Sequence, residues 1–234
     1  NLGVMRGEGG GSFPPFPGFF FVGMAASSYV LYNTLEQQEL RYIKKLVQDE
    51  ASKIEVLVNA QTESNFTALK RMAERWSKAG GTPYHLWQDD ARHYAEDFKS
   101  LETVAWVDST YRVRWADPLK SLALLIERNI ASDTLQRKAL EDAAARHTPI
   151  LTPPFMPGKE HSAFVIYYPL YSQERFEGFL AGVFSVEDFF GHAIARELSE
   201  NFILTASYQG TGYYNSNHNR SMEEAAFTVD SILQ

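Results

Sequence analysis

Trp106-Val107-Asp108-Ser109-Thr110-Tyr111-Arg112-Val113-Arg114-Trp115-Ala116-Asp117-Pro118 alternates aromatic or aliphatic residues with polar ones on either side of a turn signal. Alternation with a period of two marks a half-buried strand, and Asp108 followed by Ser109 supplies ordinary turn chemistry. The stretch therefore reads as two strands and a hairpin, Leu101 to Asp108 and Arg112 to Ala116, with Pro118 closing the second. Two stronger strands follow, Ser162 to Tyr171 and Gly178 to Val186, joined by a polar turn. Antiparallel hairpins with helices gathered beside them describe an α+β fold.

Upstream lies a long helix. From Glu36 to Ala79 there is no proline or glycine, and Leu40, Ile43, Val47, Ile54, Leu57, Leu69, Met72 and Trp76 recur at three- and four-residue spacings. Gly80-Gly81 ends it, and Thr82-Pro83 starts the next helix, with Thr82 as expected N-cap and Trp87, Ala91, Tyr94 and Phe98 as one apolar stripe. Leu119 to Asn129 reads as a short helix or a loop. Ser132 caps a helix from Asp133 to His147, with Leu135, Leu140 and Ala143 or Ala144 inward, and Thr148-Pro149 and Pro153-Pro154 frame a short extended piece. Ser185 with Asp188 three residues on starts a helix to about Leu198. Asn201 to Gln209 reads as a strand, Gly210-Thr211-Gly212 as a turn, and Ser221 onward as a helix.

The 234 residues carry a formal net charge of -7, which leaves no basic surface for a phosphate backbone and excludes nucleic acid as a partner. The chain has no cysteine, so thiol catalysis, thiolate metal sites and disulfides are excluded together. It has no nucleophile elbow, phosphate loop, paired-carboxylate motif or His-Glu-His zinc signature, and no cofactor is indicated. Residues 1–15, rich in glycine and proline, read as a disordered tail. Between Glu8 and Glu36 nothing is charged, and Phe16 to Leu35 has the length of a transmembrane helix. A cleaved signal peptide, with Arg6 in its charged region and small residues around Ala25-Ala26, is the alternative. The helix that follows, 36–79, reads as a stalk or a parallel dimer seam, or as a helix packed only on its own domain.

Candidate binding residues come from the strands. Alternation puts Trp106 and Asp108 on one face and Ala105 and Val107 on the other. Ala181 and Gly182 are small residues in mid-strand, where missing volume either receives a helix or leaves a ligand cavity. Trp106, Phe155, Tyr167 and Phe184 are the candidate walls, and Arg114 the candidate clamp for a carboxylate; core packing and a solvated arginine are the plainer alternative. His85, Asp89, His93 and Asp97 recur every four residues, a chelating spacing, but their stripe lies away from Trp87 and Ala91 and faces water, so no metal site is assigned. Asn65-Phe66-Thr67 and Asn219-Arg220-Ser221 match the glycosylation triplet.

Four segments occur in a specific order: Trp76 with its Gly-Gly-Thr-Pro break, the Trp106 to Pro118 hairpin, Thr148 to Phe155, and the paired strands around Tyr167 and Phe184. Through them the chain from about Leu40 to Phe190 resembles the CHASE family of extracytoplasmic sensor domains, carried by receptor kinases and cyclic-nucleotide synthases. The resemblance implies, over residues 36–198, a PAS-like five-stranded antiparallel sheet flanked by helices, standing outside the cytoplasmic membrane on the long helix 36–79. It also implies a small-molecule ligand, and residues 199–234 as the start of a second PAS-like subdomain. The adenine-binding residues of the plant cytokinin receptors have no match here. With no second hydrophobic segment or output module in view, the chain reads as part of an inner-membrane receptor with its sensor in the periplasm. Its output is expected to be a diguanylate cyclase or histidine kinase. A homodimer through the long helix is expected, and the competing reading is a dimerisation or structural module that binds nothing.

Overall fold

The computed structural model describes residues 16–119, 129–132, 134–156, 161–198 and 202–216. By internal contacts the chain divides into two units, Asn1–Asp49 and Glu50–Gln234. Helix α1 (Phe16–Ala79) is continuous over 64 residues, and Pro17 is tolerated because it sits in the first turn, where its missing N–H has no partner to lose. In the first unit Met24, Val30, Leu31, Leu35, Leu40 and Leu46 are exposed. No helix among the described residues is long and apolar enough to cross a membrane. The segment expected to span it, 16–35, is helical, but glycine, serine, asparagine and threonine dilute its apolar residues.

Within the second unit α1 turns Ile54, Val58, Ala68, Leu69, Met72 and Trp76 inward. Ile54 and Leu57, expected in a dimer seam, pack instead inside their own unit against Phe189 and Ile194. Asn65 is 1% exposed, so the triplet it begins is not a glycosylation acceptor in the folded chain. The triplet at Asn219 and the helix expected from Ser221 lie outside the described residues, as does most of the Leu119 to Asn129 segment.

Gly80 and Gly81, at φ +68° and +108°, end α1 in the left-handed region that only glycine enters freely. Helix α2 (Tyr84–Asp97) starts one residue later than expected: Pro83, not Thr82, occupies the cap position and no side chain caps it. Its anchorage comes from elsewhere. Gln88 donates to the buried Asp117 at 2.6 Å and Arg92 at 3.1 Å, tying α2 to the sheet edge, while Trp87 and Ala91 are buried beneath it.

The strands are β1 (Leu101–Asp108), β2 (Val113–Asp117), β3 (Ile150–Leu151), β4 (Ala163–Ser172) and β5 (Arg175–Ser185), with α3 (Thr134–Arg146) between β2 and β3. They form one antiparallel sheet in the order β2-β1-β5-β4-β3. This is the expected α+β arrangement, a five-stranded antiparallel sheet flanked by helices and preceded by a long one. β5 begins at Arg175 rather than Gly178, because Gln173 and Glu174, at φ 50° and 63°, make a two-residue turn whose twist matches the strands. Helix α4 (Val186–Ala193) follows β5 without a loop, and its cap is the expected Ser185, whose hydroxyl accepts from the Asp188 N–H. A separate pair, β6 (Thr205–Tyr208) and β7 (Thr211–Asn215), completes the described chain.

The hairpin between β1 and β2 is held by one carboxylate. Asp108 accepts from the Thr110 hydroxyl at 2.6 Å, the Thr110 N–H at 2.8 Å, the Arg112 N–H at 3.1 Å and Arg114 Nε at 2.5 Å. Partial burial pushes this carboxyl up, but these hydrogen bonds outweigh it and hold it down at about 2 against an ordinary 3.8. A carboxylate depressed in the folded state stabilises above its unfolded pKa, and that stability is lost as pH falls from about 4 toward 2. Asp108→Asn should therefore flatten the fall in melting temperature over that window; an unchanged acid slope would show the hairpin carboxylate to be irrelevant to it.

Candidate functional site

The sheet has two apolar faces, and register decides what stands on each. Ala116 pairs with Ala105, Ala105 with Ala181, Ala181 with Tyr167 and Tyr167 with Ile150, one row crossing all five strands. Side chains paired across strands share a face. Three successive methyl groups thus lie between a longer row, Val113, Val107 and Phe179, and another, Val183 and Val165. The result is a shallow trough in the sheet surface that ends at the ring of Tyr167; its three alanines are at most 4% exposed and pack in one core cluster with Leu140 and Ala143 of α3.

Tyr167 is 7% exposed, and Phe179 meets its ring edge-on at 5.9 Å. Burial pushes its hydroxyl far above the ordinary phenol range, so it remains a hydrogen-bond donor. Among the described residues nothing bonds to it. Phe155 bridges to Ala163 and packs on this face, and Tyr111 stacks on Phe179 at 6.3 Å. Partial burial raises Tyr111 first, Glu141 adds to that, and Arg137 opposes it.

The other face belongs to α1 and α2. Trp106 and Phe184 pack there, so the sheet separates them from Tyr167 and Phe155. Gly182 is small because α1 is there: a Cβ on it would stand 2.8 Å from Leu69 Cδ1 and 2.9 Å from Phe184 Cε2. Trp106 belongs to a cluster holding all four tryptophans of the chain, with ring centroids 4.6 Å from Trp115 and 5.2 Å from Trp76, and Trp87 5.5 Å from Trp115. Arg114 lies at the bulge that shifts register between Trp106 and Val107, with Nε on Asp108. Alternation along β1 divides Trp106 from Ala105 and Val107 as expected.

His85, Asp89, His93 and Asp97 are exposed on α2, and no group of three metal-ligating side chains forms among the described residues. His93 and Asp97 line an open groove of about 620 Å³ between α1 and α2, with Ser64, Thr67, Arg71 and Tyr94. Its charged side chains are solvated, unlike the trough.

The profile of the CHASE domain matches residues 36–218. This chain belongs to the CHASE domain family. The match is wider at both ends than the resemblance in the sequence and takes in β6 and β7. In fold this CHASE domain is similar to an extracellular ligand-binding receptor from Desulfohalobium retbaense, with a TM-score of 0.59 and 19% identity over 73% of the chain and 31% of the receptor. It is similar also to the ligand-binding domain of the Campylobacter jejuni chemoreceptor Tlp3, solved in complex with 4-methylisoleucine (TM-score 0.58, 12% identity, 76% of this chain and 73% of that one). The Pseudomonas aeruginosa amino acid chemoreceptor PctB in complex with L-Gln gives a TM-score of 0.52 at 11% identity over 68% of the chain and 62% of that domain. At these identities the likeness is one of fold. The chain spans about a third of the Desulfohalobium receptor. A comparison with curated proteins gave no match.

Proposed function

We propose that this CHASE domain is the small-ligand sensor of a membrane receptor and that the ligand lies on the α3 side of the sheet, over the alanine trough. One observation carries the reading: a row of three alanines across the central strands ends at the buried ring of Tyr167, whose hydroxyl has no partner among the described residues. That hydroxyl remains protonated and is left as a donor for a ligand acceptor. Phe155 and Tyr111 serve as walls. The solved neighbours bound to 4-methylisoleucine and L-Gln support amino acids as the first compounds to try.

On this reading the domain stands on the periplasmic side of an inner membrane, anchored through residues 16–35, and a second PAS-like subdomain begins at 199. Two copies pair along the apolar stripe of α1 at Leu40, Ile43 and Val47, and a diguanylate cyclase or histidine kinase receives the signal. Alkaline washing of membranes and light scattering of the detergent-solubilised chain test these two points. Release into the wash, or a monomer mass at high concentration, would remove anchorage or pairing respectively.

The ligand is tested by a melting-temperature screen of amino acids, organic acids, purines and polyamines. A compound that binds only the folded chain, at a hundred times its Kd, adds about 2.7 kcal/mol, or roughly 5–10 °C for a domain of this size. Tyr167→Phe removes only the hydroxyl and should abolish most of that rise while remaining folded. If nothing in the screen moves the transition, the dimerisation module that binds no ligand becomes the better account.

A further inference from the structure

We infer that α4 is a rigid lever, which carries displacements of the sheet to the β6–β7 hairpin and so gives the domain a second exit for its signal besides α1. The lever concerns how motion leaves the sheet and holds whatever the ligand.

Its root is pinned to three strands. Ser185 ends β5 and caps α4; its N–H donates to the Ser100 carbonyl at 2.8 Å, just before β1, and the Val186 N–H donates to the Ser162 carbonyl at 2.9 Å, just before β4. Ser100, Ser162 and Ser185 are all buried, so these bonds are shielded from water. No flexible residue separates the sheet from the helix.

Along its body α4 joins a continuous line of rings. Phe184 of β5 stacks on Phe164 of β4 at 5.3 Å, and Phe164 meets Phe189 edge-on at 5.4 Å. Phe189 meets Phe190 at 5.1 Å, and Phe190 stacks on Tyr214 of β7 at 5.3 Å. Close-packed rings transmit strain because they have no room to yield. Ile54 and Val58 of α1 pack in one cluster with Phe189 and Ile194, and Lys53 Nζ donates to the Glu197 carbonyl just beyond the helix.

The hairpin depends on this support. A two-stranded sheet is marginal alone in water. Its base closes through the Ser216 N–H donating to the Leu204 carbonyl and the Leu204 N–H to the Ser216 hydroxyl, both at 2.9 Å, and Leu204 packs in the cluster of Phe189 and Ile194. Where α4 goes, the hairpin follows.

Because the chain has no cysteine, Tyr208→Cys at an exposed position of β6 accepts a single trifluoromethyl thiol label in the full chain. Gly182→Ala supplies the push, since its new methyl presses on Leu69 and Phe184. The fluorine resonance should move by more than its linewidth on Gly182→Ala and by no measurable amount when Phe189→Ala is also present. A resonance that Gly182→Ala leaves in place, or one that moves equally with Phe189→Ala present, overturns the lever. Should Gly182→Ala fail to fold, Phe184→Leu removes the first ring of the line, and the same two outcomes decide.

Discussion

Gly178→Ala is expected to lower the melting temperature by roughly 10 °C or more, or to prevent folding, although it adds a single methyl group. Gly178 lies in the central strand β5, paired with Asp108 on one side and Leu170 on the other. A Cβ there would stand 1.9 Å from the Val107 carbonyl oxygen and 2.7 Å from the Asp108 carbonyl carbon. Both are backbone atoms of a neighbouring strand inside the sheet, so no rotamer change relieves the overlap. Its φ of +116° adds strain for any L side chain. Left-handed strain of about 1–3 kcal/mol and overpacking of similar size together reach about 4 kcal/mol. Gly212→Ala is the control: it has ordinary φ and nothing within 4 Å, and should stay within about 0.5 kcal/mol of the parent. Calorimetry of the pair tests the argument, and equal melting temperatures would sink it.

Much of the fold was legible because local rules carry it. The β1–β2 hairpin announces itself through alternation and through Asp108, whose carboxylate closes the turn on Thr110 and Arg112. Gly80-Gly81 and Ser185 end α1 and start α4 where punctuation places them. The sheet order was not legible. That β5 pairs with β1 rests on contacts seventy or more residues apart, which no periodicity encodes. Thr82 shows a smaller limit, since a capping residue type does not cap when the helix begins one residue on and its anchorage comes from Gln88 and Arg92 on Asp117.

The candidate site was legible in part, and parity explains why. Ala181 and Phe184 are three residues apart on one strand, which alone puts them on opposite faces. Placing Tyr167 beside one or the other needs the register with β4, and that register emerges only in the folded sheet. The alanine row escaped for the same reason: Ala105, Ala116 and Ala181 are ordinary residues until pairing aligns them. Gly182 carried the clearest local signal, a gap in mid-strand, and of its two readings the fold takes the helix.

That gap leads to the second large effect. Leu69 is 2% exposed and sits over Gly182, seating α1 on the same strand that carries Ala181 toward the trough. Leu69→Ala should cost about 3–5 kcal/mol, the transfer of a buried leucine plus the cavity it leaves. Gly182→Ala alone should cost about 1–3 kcal/mol, because its methyl would stand 2.8 Å from Leu69 Cδ1 and the leucine must give way. Combined, the two should cost less than their sum by roughly 1–2 kcal/mol, since the new methyl occupies space the leucine vacates. Denaturant melts of the four proteins measure this coupling. Additivity within about 0.5 kcal/mol would mean that helix and strand do not share the notch. A combined cost below the sum by roughly 1–2 kcal/mol would identify the contact through which a shift of β5, the strand that carries Ala181 and leads into α4, reaches the long helix.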